Sequence, residues 1–321
     1  MQEVAVARTS FHPASILGAV AWMAVAAISW VGWVQLSAVE LLFLLAPLVV
    51  VPLAISLIPP LDASGRILDR KDGFNWIILI AAVLATRSFF LPTGPRAALL
   101  ASTWFLVCGW FALEGLRRIL RYRAQSFSQF CFAAGEAYLI VGGTWLVASR
   151  LGLQPLGFQE PIVLLTAVHF HFAGFLSAMF VGLTYERLQE SRWGKPLQAA
   201  LAGVVIGPGL LGLAFLAGPK LKLAAVMLIV AGQFGLAAGT IRVAASLEHF
   251  VGRALLFFSS TCVLAGMVLA ATWAIGEYPL HPFVDLARME KYHGVLNAVG
   301  FGLCGLIGWS NAGRGRGAVA T

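Results

Sequence analysis

The 321-residue chain is 60% hydrophobic and only 11% charged, whereas charged residues make up about a quarter of an ordinary soluble domain. This composition excludes a soluble fold and indicates that the lipid bilayer is the solvent for most of the chain. The formal net charge of +8 does not indicate nucleic-acid binding, because the basic residues are spread over several loops and do not form one patch.

Ten apolar segments follow one another along the chain, and each is close to the roughly 20 residues that a helix needs to cross a bilayer. The predicted helices span residues 15–36, 38–59, 74–91, 96–116, 128–149, 161–185, 197–217, 221–246, 251–276 and 288–310. Their apolar runs are continuous and lack the alternation of outer-membrane barrel strands. We therefore predict an all-α polytopic transmembrane helical bundle, with residues 1–321 forming a single transmembrane domain. The first apolar run is too long for a signal-peptide core, so we expect it to remain as the first helix.

The distribution of basic residues predicts how the bundle is oriented. Fifteen of the 22 Lys and Arg residues lie on the side that carries the N-terminus, in the segments around Arg8, residues 66–71, residues 117–123 and residues 187–195 and at Arg242, Arg253, Arg314 and Arg316. By the positive-inside rule this side faces the cytoplasm. Because the number of predicted helices is even, we expect both termini in the cytoplasm and a multi-pass protein of the bacterial inner membrane.

Glu136 is an ionisable residue near the centre of predicted helix 5, roughly 12 Å from the cytoplasmic end of that helix. An unpaired carboxylate is costly at this depth, so we expect Glu136 to be either paired or protonated. We predict that Arg87 of predicted helix 3 supplies the opposite charge, with the alternative that Arg87 extends to the outer interface. A structural ion pair and a proton-transferring group are both compatible with this placement of Glu136.

Two histidines, His169 and His171, lie at membrane depth in predicted helix 6. Residues i and i+2 of a helix point about 200° apart, so these two side chains cannot both face one small cavity. Thr166 shares a face with His169 and suits a cavity, whereas Ala167 and Gly174 beside His171 suit close helix packing. We therefore expect His169 to face a cavity and His171 to make an interhelical hydrogen bond. For either residue, a packed and hydrogen-bonded histidine remains the alternative.

His293 and Asn297 lie one helical turn apart in the outer half of predicted helix 10, and thus on one face. Two hydrogen-bonding side chains stacked in this way line a cavity or bridge to another helix. The residues predicted to carry acid–base catalysis are Glu136, His169, His171 and His293. The residues predicted to bind substrate are Arg87, Asn297, Tyr138, Trp145 and Phe172.

Two segments of the chain resemble a known family. Residues 166–175, TAVHFHFAGF, and residues 293–301, HGVLNAVGF, the latter followed by Cys304-Gly305, resemble the two signature segments of the YndJ-like integral membrane proteins of bacteria. The resemblance covers mainly predicted helices 5 to 10. It implies a membrane protein and supports the choice of the histidines and Asn297 in these segments, but it implies no particular reaction.

The mixture of carboxyl and imidazole groups among aromatic residues favours a membrane-embedded enzyme. We predict Glu/His acid–base chemistry on a lipophilic substrate such as an isoprenoid, a polyketide or an acyl chain, by cyclisation, isomerisation or hydrolysis. The expected partners are the lipid bilayer and this hydrophobic substrate, with no nucleic acid.

Two other functions compete with the enzyme. The first is a proton-coupled transporter or exporter with Glu136 as the coupling residue, which the sequence Gly207-Pro208-Gly209 inside predicted helix 7 supports, because transporters often have broken helices. The second is a haem or metal protein that uses a histidine pair. Since the chain has no HxxxH spacing, we predict neither a metal nor another cofactor.

Overall fold

The computed structural model describes residues 11–58, 72–122, 126–277 and 283–312, and these ranges form ten helices without a strand. In chain order the helices are α1 (Pro13–Trp30), α2 (Ala38–Leu57), α3 (Asp72–Ser88), α4 (Pro95–Tyr122), α5 (Phe127–Leu151), α6 (Ile162–Leu188), α7 (Gly194–Ala217), α8 (Pro219–Ala245), α9 (Phe250–Glu277) and α10 (Leu286–Ala312). Within the described ranges, nine helices are long and apolar enough to cross a membrane, and α3 is a shorter apolar helix. The predicted all-α polytopic bundle is therefore confirmed.

The shorter helix α3 accompanies α4 in the opposite direction. Near the start of α3, the ring of Phe74 lies 5.8 Å from that of Trp110 and 5.7 Å from that of Phe111. Further along, the hydroxyl of Thr103 is 3.2 Å from the carbonyl oxygen of Ala81. Seventeen helical residues rise about 25 Å, slightly less than a hydrocarbon core of about 30 Å.

Local sequence signals explain where several helices begin and end. The backbone N–H of Ser37 donates to the Glu40 carboxylate at 2.7 Å, and the Ser37 hydroxyl accepts from the Glu40 N–H at 3.2 Å, which forms a capping box at the start of α2. Helix α1 ends at Trp30, earlier than the predicted boundary at residue 36. Gly32 follows with a φ of 80°, a left-handed conformation that stops a helix.

Helix α6 occupies the centre of the bundle. Its inner half, Ser177–Leu188, packs against α5, α7 and α8, while its outer half, Ile162–His169, packs against α2 and α5; inner and outer refer to the predicted orientation. Helices α5 and α6 approach closely at Gly142 because glycine has no side chain. A Cβ at this position would lie only 2.5 Å from Nδ1 of His171. Small residues of this kind allow tight helix contacts in membranes.

Three helices contain π-helical turns that lie in contact with one another at the centre of the bundle. These turns are Ala46–Val50 in α2, Phe170–Leu176 in α6, and both Met289–His293 and Leu296–Leu303 in α10. A π-helical turn adds a residue to the helical repeat and often occurs at a functional site. The turns of α6 and α10 contain His171, His293 and Asn297, and the turn of α6 directly follows His169. These are the four candidate residues of the two signature segments.

Aromatic residues mark the two ends of the bundle. Trp30 and Trp33, at the outer end of α1, are 91% and 82% exposed. Close to the start of α7, Trp193 lies beneath the guanidinium groups of Arg192 and Arg242, 5.2 and 5.7 Å from their Cζ atoms. Tryptophan is enriched at membrane–water interfaces, so these residues delimit the part of the bundle that faces lipid tails.

Candidate functional site

Glu136 forms a buried ion pair with an arginine from the neighbouring helix. Its Oε2 lies 3.3 Å from Nε of Arg118 on α4, and the two side chains are 1% and 7% exposed. Arg118 also donates from a terminal guanidinium nitrogen to the side-chain oxygen of Gln129 at 2.9 Å. The carboxylate is thus paired, as its depth in the membrane requires.

The predicted partner of Glu136, Arg87, was wrong. Arg87 is exposed near the end of α3, whereas Arg118 reaches the carboxylate because α4 continues to Tyr122, beyond its predicted end at residue 116. Gly115 allows α4 and α5 to approach here, since a Cβ at Gly115 would lie 3.0 Å from Cβ of Glu136. A glycine three residues before an arginine, and hence on the same face, was the signal in the sequence that could have identified this pair.

His171 is fully enclosed and uses both ring nitrogens in hydrogen bonds. The indole N–H of Trp104 donates to Nε2 at 3.0 Å, and Nδ1 lies 2.8 Å from the carbonyl oxygen of Ala167. Because Nε2 accepts, the ring is neutral with its hydrogen on Nδ1. The ring also meets Phe43 edge to face, with centroids 5.4 Å apart. His171 therefore makes an interhelical hydrogen bond, and this arrangement leaves it no nitrogen for chemistry.

His169 differs from His171 in being accessible. Its Nδ1 lies 2.7 Å from the carbonyl oxygen of Leu165, and no described residue makes a hydrogen bond to its Nε2. The side chain is exposed, and the accessible space beside it is called the recess below. Here the outer half of α6 packs against α2 and α5, while α8 packs against the inner half, Ser177–Leu188.

His293 belongs to the same region of the outer half. Its Nδ1 lies 2.9 Å from the carbonyl oxygen of Gly266 on α9, and no described residue bonds to its Nε2. The ring is partly accessible, and His169 lies within electrostatic range of it. Asn297, one turn further on, donates to the carbonyl oxygen of His293 at 2.7 Å.

The structure therefore separates the predicted catalytic residues. His169 and His293 come together, His171 is packed against α4 and α5, and Glu136 lies elsewhere with Arg118. His171 contacts α5 at Gly142, six residues beyond Glu136, which corresponds to about 9 Å along the helix. The expectation that Glu136 and a histidine of α6 share one hollow does not agree with this arrangement, because the carboxylate is buried against Arg118 of α4 while His169 is exposed.

Comparison with known proteins shows to which family the chain belongs. The family model described as YndJ-like protein matches residues 41–301. The chain belongs to the YndJ-like family. The match begins in α2 and so extends well before the two signature segments. The chain is also 27% identical over 240 residues to the "Uncharacterized membrane protein YndJ" of Bacillus subtilis (strain 168), which covers 74% of this chain and 42% of that relative.

This YndJ-like chain thus spans less than half the length of the curated relative that it matches. No solved structure matches it. Together with the membrane-length apolar helices, the family and the relative establish a multi-pass bacterial membrane protein.

Three aromatic residues of the YndJ-like chain were predicted to bind substrate, and they lie in different places. Tyr138 lines a groove between α5 and α7 that is open at the side of the bundle. Phe172 is buried between α6 and α10, with its ring 3.5 Å from the Cβ position of Gly302. Trp145 packs near Phe158 of the loop that follows α5, with ring centroids 6.4 Å apart. Tyr138 therefore borders an open groove, whereas Phe172 is packed inside the bundle.

Trp104 is a residue that the sequence analysis missed. It lies about ten residues from the outer end of α4, and His171 lies equally far from the outer end of α6. Both helices pack antiparallel to α5, so the two side chains reach a similar depth. Equal depth was the available signal, although depth alone does not determine which helices are neighbours.

The donors available for a metal are few in this part of the protein. Among the residues that the structure describes, no group of three or more His, Cys, Asp or Glu side chains comes together in a way that could hold a metal ion.

Proposed function

We propose that this protein is a membrane-embedded enzyme that acts on a lipophilic molecule by acid–base chemistry, with His169 and His293 as the proton-transferring groups. One observation carries this function. Two imidazoles from different helices, each held through Nδ1 by a backbone carbonyl, lie within electrostatic range of each other, and each has an Nε2 that no described residue occupies.

The carbonyl contacts determine which nitrogen carries the hydrogen. A carbonyl oxygen only accepts, so Nδ1 of each ring must donate, and the lone pair of the neutral ring is then on Nε2. A base whose lone pair is held in a fixed direction needs little reorganisation when it removes a proton. Two imidazolium cations within this range would repel each other, so at most one ring carries the extra proton at a time while the other can accept one.

The surroundings of the two histidines support a lipophilic substrate. The recess lies within the membrane-spanning part of a bundle whose core is apolar, so a molecule that reaches it comes most easily from the bilayer. Isoprenoid, polyketide and acyl chains have this character, and cyclisation, isomerisation or hydrolysis each needs a proton donor and a proton acceptor.

The same geometry gives less support to a proton-coupled transporter. Helices α6 and α10 continue through their π-helical turns without a break, whereas broken helices that meet at the midplane are typical of transporter sites. Glu136, the predicted coupling residue, is buried in its pair with Arg118. Pro208 does interrupt the hydrogen bonding of α7, and this remains the feature that favours transport.

Isotope incorporation from solvent tests the enzymatic function without a known substrate. The protein is placed in nanodiscs with bacterial lipid extract, incubated in deuterium oxide or in oxygen-18 water, and the lipids are analysed by mass spectrometry. We expect a lipid species that gains label with the wild type. In His169→Gln and His293→Gln variants the rate should fall by about 10²-fold or more, the usual contribution of a general acid or base.

His249→Asn serves as the matched control. His249 is an exposed residue whose Nδ1 accepts from the N–H of Gly252 at 3.3 Å, and asparagine retains such a capping acceptor. Label that persists in both recess variants, or no label with the folded wild type, would overturn the proposed function. A metal or haem that co-purifies with the wild type and is lost from both variants would favour the histidine-pair cofactor site instead.

A further inference from the structure

We propose that the groove between α5 and α7 binds the hydrocarbon tail of the substrate. This role rests on the acid–base function proposed above and names the class of molecule that the site accepts: a lipid with one long unbranched or isoprenoid chain. The groove, called the tail groove below, has a volume of about 350 Å³.

The shape of the tail groove suits an extended chain. Phe130, Ala134 and Tyr138 line it from α5, and Val205, Gly209 and Leu213 line it from α7. Each set follows a spacing of four residues, so both walls run along their helix axes for about 12 Å. A chain that lies in the groove is therefore parallel to the helices, as the tails of membrane lipids are.

The chemistry of the tail groove excludes a polar occupant. The one polar side chain among these residues is the phenol of Tyr138, and its hydroxyl is already engaged. It donates to the carbonyl oxygen of Val205 at 2.8 Å and accepts from the N–H of Gly209 at 3.2 Å. A polar group placed here would lose its hydrogen bonds to water without replacement, whereas a hydrocarbon loses none.

The tail groove lies beside Phe170, the residue that follows His169 in α6. The ring of Phe170 lies 5.7 Å from that of Tyr138, and its Cζ would be 3.8 Å from a Cβ at Gly212. Phe170 thus borders the outer end of the groove, and the preceding residue in α6 is His169. Adjacent residues of a helix point about 100° apart, so a molecule that passes Phe170 reaches the histidine recess on the next face.

A second groove provides an internal comparison. It has a volume of about 270 Å³ and is lined by residues that include Ser102 on α4 and Thr144 on α5. It is also largely apolar and open at the side, but its lining comes from α4, α5 and the turn after α5. Ordinary bilayer lipids should occupy both grooves alike, whereas a substrate tail should prefer the groove that adjoins Phe170.

Photo-crosslinking with palmitic acid that carries a diazirine tests the tail groove. In nanodiscs we expect cross-links within residues 130–138 and 205–213 that unlabelled palmitic acid displaces. Ala134→Phe should fill the groove and lower these cross-links at least about tenfold, and Leu213→Trp, at a position that is already 65% exposed, provides a second obstruction if the first variant folds poorly. Ser102→Phe fills the other groove and should leave them unchanged.

The outcome separates this inference from the enzymatic function. His169→Gln should cross-link like the wild type, because His169 does not line the tail groove. Cross-links that resist displacement, or that occur equally in both grooves, would mean ordinary lipid and would overturn the tail-binding role without affecting the isotope result. Specific cross-links without isotope incorporation would instead leave a lipid-binding groove and contradict the enzyme.

Discussion

The pair of Arg118 and Glu136 illustrates how a charge is kept at membrane depth. Each ion alone would be costly in a medium without water, and their mutual attraction offsets that cost only while both are present. Gln129 adds a hydrogen bond to the guanidinium. The pair joins α4 to α5 and both side chains are buried, so we interpret it as a structural contact.

We predict that Glu136→Leu lowers the free energy of unfolding by about 3–5 kcal/mol, because it leaves a buried guanidinium without its counter-charge. The double variant Arg118→Leu with Glu136→Leu should recover much of this loss, since it removes both ions. Unfolding in mixed detergent micelles, followed by circular dichroism, measures the difference.

A nearby exposed pair gives the control for this prediction. Arg117 and Glu114 also form an ion pair on α4, but both side chains are more than a third exposed. Glu114→Gln should therefore change the free energy of unfolding by less than about 1 kcal/mol. An equal effect of Glu114→Gln and Glu136→Leu, or a double variant less stable than either single one, would contradict the interpretation of a buried structural pair.

At the scale of one helix, α7 shows how a proline is accommodated in the bundle. Pro208 lacks an N–H, and the next residue, Gly209, donates to the Tyr138 hydroxyl, which in turn donates to the carbonyl of Val205. In an uninterrupted helix the N–H of Gly209 would bond directly to the carbonyl oxygen of Val205, four residues earlier. Here the Tyr138 hydroxyl lies between these two groups and bonds to both. A side chain of α5 therefore sets the local shape of α7.

We predict that Tyr138→Phe costs at most about 1 kcal/mol of unfolding free energy, because the N–H of Gly209 and the carbonyl of Val205 can then bond to each other. Tyr138→Ala should cost clearly more, since it removes the ring that packs on Phe170. Thermal unfolding of both variants in the same detergent tests this pair of expectations. A large loss of stability in Tyr138→Phe would show that the hydroxyl bridge itself holds α7 in place.

Helix length was the most predictable property at this scale. All ten apolar runs became helices, because hydrophobic length is a property of consecutive residues. The ends were less predictable: α1 stopped at a left-handed glycine, and α4 continued through a basic segment that had been counted as solvated. The π-helical turns of α2, α6 and α10 had no recognisable sequence pattern, since they depend on contacts between helices that are distant in the chain.

For the whole molecule, the orientation depends on whether α3 crosses the membrane. Its 17 residues are few for a span, but its contacts with α4 extend from Phe74 to Ala81, about 10 Å along the helix axis, so it accompanies α4 for part of its length. With α3 included, ten crossings place both termini on the same side. The excess of Lys and Arg on that side predicts that it is the cytoplasm.

We predict that green fluorescent protein fused after the C-terminus fluoresces in cells, and that alkaline phosphatase inserted after Glu277 is active outside the cytoplasmic membrane. A fusion after Gln189, between α6 and α7, is the control and should behave like the C-terminal one. An active phosphatase at the C-terminus together with a fluorescent N-terminal fusion would mean an odd number of crossings, and α3 would then lie within the membrane without spanning it.

The sequence by itself determined the solvent, the helical class and the number of helices. These properties follow from the length of apolar runs and from the constant rise of a helix, and both can be counted along the chain. The helical period also correctly separated His169 from His171, because two residues at i and i+2 cannot share a face.

Only the tertiary structure decided which of these residues meet. Residues at equal depth are neighbours only if their helices are adjacent and the right faces are turned toward each other, and that depends on how all ten helices pack together. Packing assigned Arg118 rather than Arg87 to Glu136, enclosed His171 against Trp104, and brought His169 near His293. For this reason the candidate site is a pair of histidines beside a recess and not the carboxylate–histidine site that depth alone suggested.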